Sequence, residues 1–137
     1  MSNKITITAT VHADAKKAWE YYTEPKHITQ WNFADPSWHC PAASNDMQVG
    51  GKYSARMEAK DGSFGFEFEA TYNAIEPGKN FTYTMPDGRE VTVVFSPADD
   101  ATEVTVTFDP ENQNPIEMQR GGWQLILNNY KKYTDEN

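Results

Sequence analysis

The chain has 137 residues and a mass of 15.6 kDa, a size that fits one domain spanning residues 1–137. Its 20 acidic and 12 basic residues give a formal charge of −8, which argues against nucleic acid or an anionic membrane surface as the main partner. The single cysteine, Cys40, excludes an intrachain disulfide and is typical of a reducing compartment. Because no signal-peptide core and no run of about 18 apolar residues is present, we expect a cytoplasmic protein without membrane insertion.

The first third of the chain predicts one strand followed by two short helices. Apolar and polar side chains alternate over residues 5–11, as they do on a strand with one buried face. Asp14 then stands where a helix N-cap is expected, and apolar residues continue at helical spacing up to Tyr22. Pro25 begins a second short helix, since proline is favoured in the first helical turn. We predict an irregular segment over residues 32–49.

Alternation returns in the middle of the chain and predicts antiparallel strands joined by tight turns. The Asp61-Gly62 pair is typical of a two-residue hairpin turn, which sets the register of the strands it joins. That register places Met57 opposite Phe66 on the apolar face, and Arg56 opposite Glu67 on the other face, where we expect an ion pair. This hairpin and the two later turns predict further opposed pairs: Ala55 with Phe68, Tyr83 with Val91, Phe81 with Val93, Phe95 with Val104, and Val93 with Val106.

The C-terminal segment predicts one long helix from Pro115 to Tyr133. Asn114 stands at the N-cap position, and Glu117 three residues later completes the spacing of a capping box. The Gly121-Gly122 pair is unfavourable inside a helix, at up to about 1 kcal/mol per glycine relative to alanine. Either the backbone approaches another element closely there, or the helix kinks and leaves room for a ligand.

These elements predict an α+β fold: one strand, two short helices, a meander of five or six strands and a long C-terminal helix. Only one long helix is available to cover the apolar face that the strands share. We therefore expect a curved antiparallel sheet wrapped around that helix. A strongly curved sheet leaves space at its wide end, and the residues left to line this space are aromatic residues and methionines.

Four segments of the chain, residues 28–31, 46–53, 102–108 and 121–123, resemble a known superfamily. They are similar to the START-like or SRPBCC superfamily, which has a helix-grip fold. The closest branch resembles the C-terminal domain of the activator of the ninety-kilodalton heat-shock protein ATPase. The resemblance implies a cavity for a small hydrophobic ligand between sheet and C-terminal helix, with no fixed catalytic motif and no cofactor.

The expected ligand is lipid-like or polycyclic and aromatic, because buried Tyr and Trp side chains offer polar groups beside apolar rings. We expect a monomer that binds such a small molecule. We predict that the ligand contacts residues of the apolar sheet face and of the C-terminal helix, namely Trp38, Met57, Phe66, Phe68, Tyr72, Phe81, Tyr83, Gln119, Arg120, Trp123, Ile126 and Leu127.

Two polar members of that set, Gln119 and Arg120, fall on the helix face turned toward the sheet. A buried guanidinium needs a partner, because an unpaired buried charge is costly. Arg120 therefore either anchors a carboxylate, carbonyl or phenol of the ligand, or forms an ion pair with Asp109 or Glu111.

Other polar clusters favour structural roles. His39 and Cys40 are neighbours in sequence and would point to opposite faces of a strand, so a shared metal ion or a Cys–His nucleophile pair is not expected. A role in the structure or at the cavity rim is the better interpretation. The carboxylates Glu58, Glu67 and Glu69 alternate with the apolar face and predict a solvated charge ladder. We therefore predict no catalytic residue and no metal site.

Two further functions remain as alternatives to ligand binding. The first is an enzyme of the polyketide cyclase or dehydrase type, as the names of some similar bacterial proteins suggest. Its inward polar groups would come from Gln119, Arg120, tyrosines and His39. The second is an interaction module for a chaperone, which would use an outer surface in place of a cavity.

Overall fold

The computed structural model describes residues 4–137, which form seven strands and three helices. The elements, in chain order, are β1 (Ile5–Val11), α1 (Ala15–Thr23), α2 (Pro25–Trp31), β2 (Trp38–Asn45), β3 (Lys52–Ala59), β4 (Gly65–Glu76), β5 (Asn80–Thr84), β6 (Glu90–Ala98), β7 (Ala101–Phe108) and α3 (Ile116–Glu136). One antiparallel sheet contains all seven strands in the order β1-β7-β6-β5-β4-β3-β2. The predicted α+β helix-grip fold is therefore confirmed, with a six-strand meander closed by β1.

The strand registers agree with the predicted ones at every turn of the central meander. Met57 lies opposite Phe66, Tyr83 opposite Val91 and Phe95 opposite Val104, and the remaining predicted pairs also match. Because side chains alternate between faces, these registers place the apolar residues of all these strands on one concave face.

The expected ion pair between Arg56 and Glu67 is wrong. The two residues are opposed across the ladder, but the Arg56 guanidinium turns along its own strand, and its Nε lies 2.9 Å from Oε2 of Glu58. Glu58 also lies 3.6 Å from Nε2 of His39 on β2. The outer face of β2 and β3 thus carries a partly exposed charge cluster. Its ion pairs are not formed between directly opposed residues of β3 and β4.

Strand β2 lies in the segment that was expected to be irregular. It pairs antiparallel with β3, from Trp38 opposite Ala59 to Asn45 opposite Tyr53, with a register shift between His39 and Ala42. Its burial does not alternate regularly, and it contains a proline, a residue that sheets tolerate on edge strands and at bulges. The period-two signal is therefore absent from the sequence although the strand is present.

Helix α3 begins without the predicted capping box. Pro115 is its N-cap, and no side-chain cap hydrogen bond is formed there within residues 4–137. Asn114 instead binds the carboxylate of Glu111, through its backbone N–H and its side-chain amide. The side chain of Gln119 fixes the preceding loop: its Nε2 donates to the carbonyls of Glu111 and Asn114, and its Oε1 accepts from the Glu111 N–H.

The glycines of α3 do not mark a close approach. A Cβ built on Gly121 or Gly122 has no atom of the described residues within 4 Å, apart from the helix's own backbone and chain neighbours. Gly51 is the opposite case. A Cβ there would collide with the carbonyl oxygen of Asp46 and lie 2.9 Å from that of Gln48. The turn before β3 therefore requires a glycine at this position.

We predict opposite effects of alanine at two of these glycines. Gly51→Ala should lower the free energy of unfolding by roughly 1–3 kcal/mol, because the new methyl group overlaps backbone atoms that cannot move freely. Gly121→Ala should raise it by up to about 1 kcal/mol, because alanine is the better helix former and the space is open. Urea denaturation of the two variants checks this, and equal effects would contradict it.

Candidate ligand-binding cavity

The concave face of the sheet and the three helices enclose a cavity of about 280 Å³ that is partly open to solvent. Of its nineteen lining residues, all but four are apolar or aromatic. The lining consists of Ile7, Tyr22, Thr23, Trp31, Asn32, Asn45, Tyr53, Met57, Phe66, Phe68, Tyr72, Phe81, Tyr83, Met85, Arg89, Val106, Trp123, Ile126 and Leu127. The wide space predicted between the sheet and the C-terminal helix is present.

Aromatic contacts in each half of α3 fix its position over the sheet. Toward its C-terminal end the buried Tyr130 ring packs against Tyr22 and Trp31, and its hydroxyl donates to the Ala18 carbonyl at 2.7 Å. Toward its N-terminal end the indole of Trp123 stacks on Phe108, with centroids 4.0 Å apart. The backbone of α3 comes close to β1, α1 and α2, and the cavity lies between α3 and the middle strands.

Nine of the twelve predicted contact residues line this cavity. They are Met57, Phe66, Phe68, Tyr72, Phe81, Tyr83, Trp123, Ile126 and Leu127. Trp38 is outside the lining but contacts it: its ring packs against the exposed Phe64 and against the lining residue Phe66, with centroids 5.9 and 6.1 Å away. Phe66 is 42% exposed and both lines the cavity and contacts Trp38, so this aromatic group forms part of the rim.

Gln119 and Arg120 are outside the cavity lining. The Gln119 amide is occupied by the loop before α3. The Arg120 Nε lies 3.7 Å from Oε1 of Glu117, one turn away, so the predicted ion pair with Asp109 or Glu111 is wrong. Asp109 instead contacts Nζ of Lys4 at 2.7 Å. Helical proximity decides the partner of Arg120, because residues three apart lie on the same side of a helix.

Four polar lining residues were not predicted: Thr23, which ends α1, and Asn32, Asn45 and Arg89. Asn45 lies on β2, the strand that the sequence pattern did not reveal, and Asn32 follows α2 directly. Arg89 lies two residues before Val91, and side chains two residues apart on a strand point to the same face. The alternation of β6, continued back to Arg89, would therefore have placed it on the concave face. Its Nε lies 2.7 Å from Oδ2 of Asp87, which partly neutralises its charge.

Three hydrogen bonds of two asparagine side chains organise the polar part of the wall. The hydroxyl of Tyr72 donates to Oδ1 of Asn45 at 2.7 Å, while Nδ2 of Asn45 donates to the Thr23 carbonyl at the same distance. Nδ2 of Asn32 donates to the hydroxyl oxygen of Tyr53 at 3.3 Å. The amides thus tie α1, α2, β2, β3 and β4 together around the cavity.

Burial keeps the phenols of the cavity protonated. It is the main cause that raises the pKa of Tyr22, Tyr53, Tyr72 and Tyr83 above the ordinary value, and for Tyr22, Tyr53 and Tyr83 neighbouring phenols raise it further. A desolvated phenolate is disfavoured, so each hydroxyl stays neutral and able to donate a hydrogen bond.

Acidic and imidazole side chains among residues 4–137 lie outside the cavity lining. His39, an expected rim or inward group, is instead paired with Glu58 on the outer face, whereas Cys40 is buried. Burial raises the pKa of the Cys40 thiol, which disfavours the reactive thiolate. The described part of the chain holds no group of three or more His, Cys, Asp or Glu side chains suited to a metal ion.

The raised phenol pKa values predict a steep loss of stability in alkali. Above pH about 10 the unfolded chain releases phenolic protons that the folded chain retains, so the free energy of unfolding falls as pH rises, by up to about 1.4 kcal/mol per pH unit for each such tyrosine. Tyrosinate absorbance and circular dichroism, followed together from pH 9 to 12, should change in one transition. Ionisation of these tyrosines well before unfolding would contradict the prediction.

Comparison with known proteins identifies a matching family model and similar solved structures. A family model described as Activator of Hsp90 ATPase homolog 1-like protein matches residues 12–135. The solution structure of an AHSA1-like protein from Aeromonas hydrophila is 37% identical, with a TM-score of 0.92 over 98% of this chain and 93% of that one. A protein from Cytophaga hutchinsonii is 46% identical, with a TM-score of 0.84 over the same shares.

A more distant structure shares the fold alone: CV1439 from Chromobacterium violaceum is 19% identical, with a TM-score of 0.86 over 98% of this chain and 99% of that one. Comparison with the curated proteins gives no match. Within residues 4–137, none of the helices is both long and apolar enough to cross a membrane. The match over nearly the whole chain and the two relatives above 30% identity establish that the chain belongs to the Activator of Hsp90 ATPase homolog 1-like family, a branch of the START-like or SRPBCC superfamily.

Proposed function

We propose that the protein binds a small, mainly aromatic molecule in the cavity between the sheet and α3. The observation that carries this proposal is the cavity itself, which is partly open and lined almost entirely by apolar and aromatic side chains. Apolar concave sites with few polar groups are the usual sites for small ligands. Membership of a superfamily of ligand-binding domains supports the same conclusion.

The cavity volume restricts the size of the ligand. About 280 Å³ is close to twice the roughly 150 Å³ of an engineered cavity that binds benzene. It lies just below the range of about 300–1,000 Å³ that is typical of sites for drug-sized ligands. A molecule of two or three rings therefore fits better than a long lipid chain, unless the rim moves.

The chemistry of the wall favours a planar aromatic ligand over an alkyl chain. Tyr53, Phe81 and Tyr83 present rings at small interplanar angles, 20° between the two tyrosines and 24° between Phe81 and Tyr83. Flat ligands gain offset-stacked and edge-to-face contacts against such surfaces. Met57 and Met85 add flexible, polarisable side chains that adapt to different outlines.

The enzyme alternative has weaker support. General acid–base catalysis needs a pair of titratable groups near the substrate, with pKa values close to neutral pH. The titratable groups in the lining formed by residues 4–137 are phenols, whose pKa burial raises, and the guanidinium of Arg89; this lining holds no carboxylate and no imidazole. The chaperone-module alternative would use an outer surface, so the cavity does not bear on it. It stays a prediction drawn from the family resemblance.

A variant that fills the cavity tests the proposal. N-phenylnaphthylamine, an uncharged dye that fluoresces in apolar surroundings, should bind the wild-type protein with a stoichiometry of one. Ile126→Trp adds volume inside the cavity and should weaken this binding at least tenfold. Fluorescence titration at fixed protein concentration gives both values.

The neighbouring variant Leu125→Trp is the matched control. Leu125 is 50% exposed and outside the lining, so its replacement should leave the affinity within twofold of wild type. Equal weakening by both variants, or a dye that fails to saturate one site, would contradict binding in the cavity. Competition separates ligand classes: phenanthrene should displace the dye at lower concentration than palmitate, and the reverse order would favour a lipid.

A further inference from the structure

The cavity wall carries hydroxyl groups that the protein leaves without a partner. Tyr53 and Tyr72 are hydrogen-bonded to Asn32 and Asn45, as described above. The hydroxyls of Tyr22 and Tyr83 form no hydrogen bond with any residue of 4–137, although both residues line the cavity. Neither hydroxyl oxygen is fully enclosed, so each hydroxyl can donate a hydrogen bond to whatever occupies the cavity.

Tyr83 is the stronger case because its side chain is almost fully buried. The residue is only 7% exposed, and its ring is fixed between Tyr53 and Phe81, with centroids 5.7 and 5.8 Å away. Its hydroxyl oxygen is not fully enclosed by protein atoms of the described residues. Because Tyr83 lines the cavity, this oxygen faces the cavity space. The hydroxyl is therefore held in a fixed position and is available to whatever fills that space.

The surroundings select the charge of that occupant. Tyr22, Tyr53 and Tyr72 are the neighbours whose phenols act on Tyr83, and burial keeps all four uncharged. A carboxylate brought into this cluster would lose its hydration without meeting a cation, which is strongly unfavourable. Arg89, the charged member of the lining, is engaged by Asp87 beside the β5–β6 turn. A neutral oxygen acceptor, in contrast, has a much smaller desolvation cost, which a hydrogen bond from a phenol offsets.

We propose that the ligand is an aromatic compound carrying an uncharged oxygen, a carbonyl or a hydroxyl, which accepts a hydrogen bond from Tyr83 and lies within reach of Tyr22. This inference rests on the proposed function and specifies its ligand class. The rings of the ligand would lie against Phe68, Trp123 and Ile126, with the oxygen turned toward the tyrosine cluster. Oxygen recognition then depends on phenols that the fold itself does not need as hydrogen-bond donors.

Three probes with one ring skeleton test this inference: fluorene, fluorenone and fluorene carboxylate. Each is titrated against wild type, Tyr83→Phe, Tyr22→Phe and the control Tyr21→Phe, which alters a tyrosine outside the lining. Tyr83→Phe should weaken fluorenone binding about fivefold, the effect of one neutral hydrogen bond of about 1 kcal/mol. Fluorene binding should stay within twofold. Tyr21→Phe should change neither affinity.

An infrared spectrum of bound fluorenone gives a second readout that packing alone would not change. Hydrogen bonding lowers the carbonyl stretching frequency, so the band should lie lower in wild type than in Tyr83→Phe. If Tyr83→Phe melts more than a few degrees below wild type, Tyr22→Phe, which removes the second unpaired hydroxyl, replaces it in the comparison. This variant should weaken fluorenone binding by a smaller factor and leave fluorene binding unchanged.

The outcomes separate this inference from the proposed function. Binding of fluorene and fluorenone that no tyrosine variant distinguishes would overturn the oxygen recognition and leave the hydrophobic site intact. Tighter binding of the carboxylate than of fluorenone would also overturn it, by indicating recognition at Arg89. Failure of all three probes and of N-phenylnaphthylamine would overturn the proposed function together with the inference. Selective loss of fluorenone with a shifted carbonyl band would support it.

Discussion

The position of α3 over the sheet depends on two aromatic side chains about two helical turns apart, Trp123 and Tyr130. Tyr130 fixes the C-terminal half against α1 and α2, through ring contacts and a hydrogen bond to the Ala18 carbonyl. Trp123 fixes the N-terminal half by stacking on Phe108. Ile126 and Leu127, which lie between these two contacts, line the cavity together with large rings from the sheet. The rings that hold α3 in place also belong to the cavity wall, since Trp123, Tyr22 and Trp31 line it.

The distribution of polar groups gives this space its chemical character. Carboxylates and most cations lie on the outer face or in loops, where water screens them, as the Arg56, Glu58 and His39 cluster illustrates. Inside, the polar groups are amides, phenols, the Thr23 hydroxyl and Arg89; the amides join neighbouring elements, and Asp87 pairs with Arg89. The lining thus presents hydrogen-bond donors but, among residues 4–137, no carboxylate and no imidazole.

The sequence was most informative where two local signals agreed. The β3–β4 hairpin was predictable in full register, because the Asp61-Gly62 turn and the alternating pattern independently required the same pairing. Strand β2 was not, because a bulge and a proline remove its period. The partner of Arg120 was also missed, although the three-residue spacing to Glu117 on the same helix encodes it, because only the carboxylates before the helix were considered. Lining residues on the meander followed from parity, whereas Asn32 and Asn45 reach the cavity only through the tertiary packing of α2 and β2.

Nuclear Overhauser contacts between bound phenanthrene and the methyl groups of the protein test most directly whether a ligand binds between the sheet and α3. We predict contacts to Met57, Met85, Ile126 and Leu127, which line the cavity from the sheet, the β5–β6 turn and the helix. Methyl groups of Val49 and Leu125, which are exposed and outside the lining, should give none. Contacts confined to those exposed methyl groups, with none in the interior, would show that the space between sheet and helix is not a binding site.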